Sequence, residues 1–230
     1  MYTIHPNSIL NELFAKRPYQ GVAPDKATFL FVGLDANYDA QIAEKPIFNK
    51  IVEYHSNAAY FWQKYGVHHP FLLTGYTGGG RFYHKSFANI GFMPEHANLV
   101  SFIELLHVPT VGRNVLDVND LLATHLNMIN SIILDGLATH IFLPATVARL
   151  MRASGIFKWL PRSSIHQHGP LDVLFKNNNK TVYSLLHFSV YGKFTDRKAA
   201  QALAIRGLIP QANENLLMLN STLSSDFLEN

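Results

Sequence analysis

At 230 residues and 48% hydrophobic, with no cysteine and a formal net charge of +3, the chain can fill one sizeable core, and one domain is expected. These figures exclude disulfides, thiolate catalysis and cysteine-held zinc or iron–sulfur centres, and the charge is too mild to demand a polyanionic partner. No apolar run approaches a membrane span and MYTIHPNSIL lacks a signal-peptide pattern, so the expectation is a cytoplasmic protein with no membrane partner.

The first expected element is a short helix over 8–16, inside an N-terminal helical extension, 1–27. Residues 28–33 (TFLFVG) form the first strand, followed by a long polar loop, 34–46. Helical apolar spacing runs over 48–65, through Phe48, Ile51, Val52, Phe61, Trp62 and Tyr65. GYTGGGR, 75–81, reads as a flexible loop, and 82–89 as a helix stopped at Gly91. A second strand over 97–105 leads to a loop, 107–114, then to a long helix over 117–135 stopped at Gly136. Residues 140–143 are a third strand feeding a helix through Arg149. Residues 172–175 and 181–186 flank NNN as a hairpin, and Thr195 can cap a final helix through Arg206. The tail, 213–230, is polar. This alternation predicts an α/β three-layer sandwich: a central mostly parallel sheet with helices on both faces.

Two apolar runs end abruptly in polar groups. The segment 28–37 delivers Asp35 and Asn37 just past Gly33, and 182–189 (VYSLLHFS) delivers His187 and Ser189. In an open α/β sheet, ligands bind outside the carboxyl ends of the strands, so a carboxylate and an imidazole there can do chemistry; equally, both can merely hold loops.

Other motifs point less clearly. GYTGGGR lacks the strand–helix context and spacing of a P-loop or dinucleotide fingerprint, although Arg81, His84 and Lys85 could fold over an anionic ligand. His68-His69 and His166-Gln-His168 read as surface histidines rather than metal ligands, because no carboxylate lies nearby in either segment. No metal or cofactor is expected. Ser189 lacks a nucleophile elbow, which argues against acyl transfer.

Taken in order, the blocks resemble the uracil-DNA glycosylase superfamily, most of all its mismatch-specific thymine/uracil branch. That family opens with an apolar strand ending in Gly-x-Asp or Gly-x-Asn, as in Gly33-Leu34-Asp35. Its helix carrying Asn…Phe-Trp is similar to NAAYFW, 57–62, and its strand running into a Pro-Thr loop resembles FIELLHVPTVG, 102–112. A later strand and helix resemble HIFLPATVARLM, 140–151, and the closing His-Pro-Ser resembles His187-Phe188-Ser189. The resemblance covers roughly residues 28–206.

It implies a monofunctional DNA glycosylase that flips a damaged, mismatched or modified base from double- or single-stranded DNA and hydrolyses its N-glycosidic bond. Asp35 would stabilise the sugar cation and orient or deprotonate water, while His187 would donate to the departing base. Gly33, Leu34 and Asn37 would border the base pocket, with Phe48 as the stacking ring and Tyr38 as its rival. Ser189 and the amides near Thr195 suit a DNA phosphate, with Arg197, Lys198 and Lys193 adding charge, although the helix charges can equally be a solvated face. A monomer is expected.

The chain also departs from that family. Ala36 and Phe188 replace motif prolines, which puts loop rigidity in question. Val190 to Phe194 replaces the usual wedge, with Tyr191 the candidate for filling the vacated stack. Glu104 stands where many relatives hold a base-reading Asn or Lys. An ionised Glu only accepts hydrogen bonds, so the expectation is an amino-bearing base, such as a modified cytosine of phage DNA met in defence. Alternatively, Glu104 pairs with Arg113 or Lys85 and reads nothing. Two other functions stay open: a catalytically silent DNA-binding member of the fold, and a Rossmann-like enzyme acting on a small nucleotide.

Overall fold

In a computed structural model of the chain, the described residues are 2–112, 115–165, 169–177 and 179–210. Arg113, His166, His168 and the polar tail lie outside them. The chain runs through β1 (Thr3–Ile4), α1 (Ser8–Lys16) and β2 (Tyr19–Gly21) to β3 (Phe29–Gly33). Past the loop carrying Asp35 come β4 (Asn37–Tyr38), α2 (Phe48–Ser56), α3 (Ala58–Tyr65) and α4 (Arg81–Ala88). The middle holds β5 (Val100–Glu104), β6 (Thr110–Val111), α5 (Ala123–Asp135), β7 (His140–Pro144) and α6 (Ala145–Ala153). Last come β8 (Asp172–Lys176), β9 (Thr181–Leu185) and α7 (Thr195–Arg206).

The main sheet has six strands in the order β2-β5-β3-β7-β9-β8. The inner four, β5, β3, β7 and β9, are parallel, and β2 and β8 close the edges antiparallel. Parallel strands covered on both faces read as continuous apolar runs, and β3 has that character. Its Leu30 and Val32 pack with Ile129, Val147 and Met151 of α5 and α6. Its Phe29 and Phe31 face the other way, against Trp62, Phe87 and Ile205 of α3, α4 and α7. The three-layer α/β sandwich is therefore present, with a mixed sheet.

The element boundaries depart from the sequence expectation where side chains interrupt a pattern. The expected single helix over 48–65 is two helices. Asn57 takes an extended conformation (φ −158°, ψ 90°), and its Oδ1 accepts from Tyr60 N at 3.0 Å to start α3 while its own amide closes α2. The long helix begins at Ala123 rather than near 117, because Asp117 caps a separate 3₁₀ turn, Val118–Asp120. Residues 1–27 are not a purely helical extension: β2 is an edge strand of the main sheet, and β1 joins a small second sheet ordered β1-β6-β4. Among the described residues no helix is long and apolar enough to cross a membrane.

Candidate active site

The carboxyl ends of the four parallel strands open into a cleft of about 670 Å³. Its floor comes from residues 33–38 at the end of β3, from Phe102 and Glu104 of β5, from the β7–α6 junction at 144–147, and from Leu185, Leu186, His187, Ser189 and Val190 at the end of β9. His69, Phe71, Tyr83 and His84 form the facing wall. Asp35, Glu104 and His187, each from a different strand end, thus share one cavity.

Asp35 is held from the side. Leu105 and Leu106 donate backbone hydrogen bonds to Gly33 O and Leu34 O, and Thr110 N donates to Ala36 O, so the loop after β5 runs alongside the loop after β3. This zipper brings the fully buried Thr110 hydroxyl to Asp35 Oδ2, to which it donates at 2.5 Å. Asn37 Nδ2 donates to the same hydroxyl at 3.1 Å and to Gly112 O at 2.6 Å. One carboxylate oxygen is therefore fixed by a buried donor that is itself oriented. The sequence placed a Pro-Thr loop here, but pairing Thr110 with Asp35 requires the strand register.

Glu104 ends β5 opposite Gly33 of β3. Its carboxyl lies against the Cα of Gly33, where a Cβ would sit 1.9 Å from Oε2, and no described residue gives it a hydrogen bond or a counter-ion. Burial, with the Asp35 carboxylate second, raises its pKa to about 8. Burial and the Asp35 carboxylate therefore favour the neutral acid, a form that can donate as well as accept. The acceptor-only reading of Glu104 assumes an ionised carboxylate, which this burial disfavours, and Lys85, exposed on α4, does not pair with it.

His187 sits at the exposed rim, yet burial of its ring lowers its pKa, with Asp35 opposing that shift. Ser189 N donates to its Nδ1 at 3.3 Å. The neutral ring then carries its proton on Nε2, which makes it a hydrogen-bond donor. The loop after β9 is held locally. Phe188 is buried against Phe31, Tyr83 and Phe87, and Lys198 Nζ donates to Val190 O at 2.8 Å and to Ser86 Oγ at 3.1 Å.

The aromatic wall differs from expectation. Phe48 does not line the cleft; it is buried below with Leu10, Phe14, Ile42 and Ile51. Tyr38 does line it, its hydroxyl engaged by Gln20 Nε2 at 3.2 Å and by His55 Nε2 at 3.1 Å. Phe71 stacks on Tyr76 at 4.5 Å. His68 and His69 are buried, not surface residues. His69 stacks on His84 with ring centroids 3.5 Å apart, and His68 Nε2 lies 3.1 Å from His84 Nδ1. Burial holds all three below the usual imidazole range, His84 at about 3, so this wall is polar but uncharged. Among the described residues no group of three or more His, Asp or Glu is arranged to hold a metal ion.

The proposed phosphate contacts divide. Arg81 Nη1 donates to three carbonyls, Phe71 O at 2.9 Å, Leu73 O at 3.1 Å and Tyr76 O at 2.7 Å, so it pins the 71–81 loop. That loop is tied down, contrary to its flexible reading. Arg197 pairs with Asp172 at 3.3 Å, and Lys198 is spent on the loop after β9. Ser189, Tyr191, Lys193 and Lys85 are exposed, with Tyr191 78% accessible beside the cleft mouth. At the β7–α6 junction, α6 begins at Ala145, after Pro144, without a side-chain cap, and its positive end lies at the cleft.

Compared with known proteins, the chain matches no family model, no curated protein and no solved structure.

Proposed function

We propose that the chain is a monofunctional DNA glycosylase, a hydrolase that cleaves the N-glycosidic bond of a flipped-out damaged, mismatched or modified base. Modified cytosines of phage DNA, met in defence, are one target class. The carrying observation is the convergence of Asp35 and His187 on one cleft at the carboxyl ends of β3 and β9, the parallel strands on either side of β7. The ordered motifs shared with the uracil-DNA glycosylase superfamily support the same reading.

In this mechanism the extruded base enters between Phe71, Tyr38 and Tyr83. As the bond to C1′ lengthens, positive charge grows on the sugar and negative charge on the base. Asp35, fixed by Thr110, faces the cation and takes a proton from the water whose oxygen bonds to C1′. The Nε2–H of neutral His187 donates to the departing base as its charge develops. Ser189 and Lys193 meet backbone phosphates, and Tyr191 fills the vacated stack. The protein acts as a monomer in the cytoplasm.

The test is single-turnover base release from oligonucleotides carrying uracil, thymine mismatches or modified cytosines. Wild type should release at least one of these bases. Asp35→Asn and His187→Ala should each lower that rate by about 100-fold or more. If wild type releases no base from any of these DNAs, the glycosylase reading is wrong, and retained length-dependent DNA binding would indicate the silent binding role instead.

A further inference from the structure

Two carboxyl groups face one cleft here, and their surroundings treat them differently. Asp35 Oδ2 accepts a 2.5 Å hydrogen bond from the Thr110 hydroxyl. Glu104 receives none from the described residues, and its carboxyl is pressed against Gly33. Like charges sharing a site cannot both ionise cheaply, so the proton belongs on the carboxyl without a donor. Paired carboxyls with opposed environments are how glycosyl-bond hydrolases divide nucleophilic or electrostatic work from acid work.

On the reading above that this cleft cleaves N-glycosidic bonds, we propose that Glu104 is the general acid that protonates the leaving base, and that the substrate is therefore a cytosine-type base. Such a base presents an acceptor, N3, beside an exocyclic amine. The Glu104 hydroxyl donates to N3 while its carbonyl oxygen accepts from the amine. During cleavage the Glu104 proton moves to N3 as the C1′–N1 bonding pair moves onto N1, so the base departs as a neutral tautomer. Water bonds to C1′ and its proton goes to Asp35, leaving the total proton count unchanged; proton exchange then restores Glu104 as the acid and Asp35 as the base. A uracil-type base already carries a proton at N3 and leaves as an anion, with much less need of an acid.

Among the described residues, the groups around Glu104 supply no cation. Asp35 faces it from the loop after β3, Tyr38 from β4, Tyr54 from α2 and Tyr83 from α4. His125 of α5 contacts only its backbone, with Nε2 2.8 Å from Glu104 O. His69, His84 and His187 on the cleft are all held below the usual imidazole range. Burial, rather than a partner, sets the protonation of Glu104 at about 8, so its acid form should be lost above that pH.

The experiment compares wild type, Glu104→Gln and Asp35→Asn on matched oligonucleotides carrying one 5-hydroxymethylcytosine or one 5-hydroxymethyluracil. Gln keeps a donor and an acceptor but cannot transfer a proton. The expected result is a cytosine-type rate about 100-fold or more lower in Glu104→Gln, against a loss within about 10-fold for the uracil-type base. The alkaline fall of the wild-type cytosine-type rate, with midpoint near 8, should vanish in the variant. Asp35→Asn should impair both substrates. Wild type that releases the uracil-type base but not the cytosine-type base overturns the general acid while the glycosylase stands; no release of either defeats both. A carbon-13 carboxyl titration of wild type, with the Glu104 signal assigned by its absence in Glu104→Gln, is independent of turnover. A midpoint in the ordinary carboxylate range overturns the proposal.

Discussion

The carboxyl of Glu104 occupies the space in which a side chain at Gly33 would begin, with an ideal Cβ there 1.9 Å from Oε2. The two residues are register partners on adjacent parallel strands, so neither backbone can easily yield. Gly33→Ala should therefore displace the Glu104 carboxyl and cost about 1–3 kcal/mol, the usual range for overpacking. Removing the obstructing side chain should recover much of that loss. Urea denaturation of Gly33→Ala, Glu104→Ala and the double variant checks this, and simple additivity would contradict it.

Thr110→Val keeps the shape of the side chain but removes the donor to Asp35 Oδ2 and the acceptor for Asn37. Stability should fall by about 1–3 kcal/mol, because buried polar groups lose partners. Base release should fall at least 10-fold as the carboxylate loses its fixed orientation. Thr110→Ser should retain most of both, measured by thermal melting and single-turnover kinetics.

The cations divide into structural and free. Arg81 gives its hydrogen bonds to three backbone carbonyls, whereas Lys193 is exposed, its Nζ 5.3 Å from the Phe194 ring centroid. Lys193→Ala should make the salt dependence of DNA binding shallower by about one unit in the log–log slope. Arg81→Ala should leave that slope alone and lower stability by about 2 kcal/mol or more. Binding titrations across a salt series, with denaturation of both variants, separate the two.

Acid should destabilise the fold through its buried imidazoles. Burial lowers the pKa of His55 to about 4 and of His84 to about 3, and puts His68 and His69 well below normal. Below the ordinary histidine range the unfolded chain binds protons that the folded chain refuses, so stability falls as pH falls. Between pH 7.5 and pH 5 each such histidine should cost on the order of 2 kcal/mol. Urea midpoints should drop over that range, and the drop should shrink in His84→Gln.

Much of this is legible in the sequence itself. The β3 run and the polar residues closing β3 and β9 carry their pattern locally, and Asp35, Asn37, Tyr38, Glu104, His187 and Ser189 do line one cleft. What escaped depends on contacts distant in sequence. Two-residue strands such as β4 and β6 have no periodicity to read. Arg81 and Lys198 look like any solvated cation until the carbonyls they hold are known. Phe48 has the spacing of a pocket ring, but α1 covers it with Leu10 and Phe14. The protonation of Glu104 follows from its burial and from Asp35 across the strand pair, neither of which a residue type reveals.

The small sheet gives the Asp35 carboxylate an unusual dependence. Thr110 grips Asp35 from β6, and β6 is paired on its outer side by β1, with Ile4 opposite Thr110 and His5 N bonded to Pro109 O at 2.9 Å. A two-residue strand opens at far lower free energy than the domain unfolds. Asp35 is thus fastened by a clasp that can release while the six-stranded body stays shut, and amide exchange at Thr110 and Val111 would time that release. A bulky fusion ahead of Thr3 would then act at a distance, lowering the proposed base release by loosening a hydrogen bond it never touches.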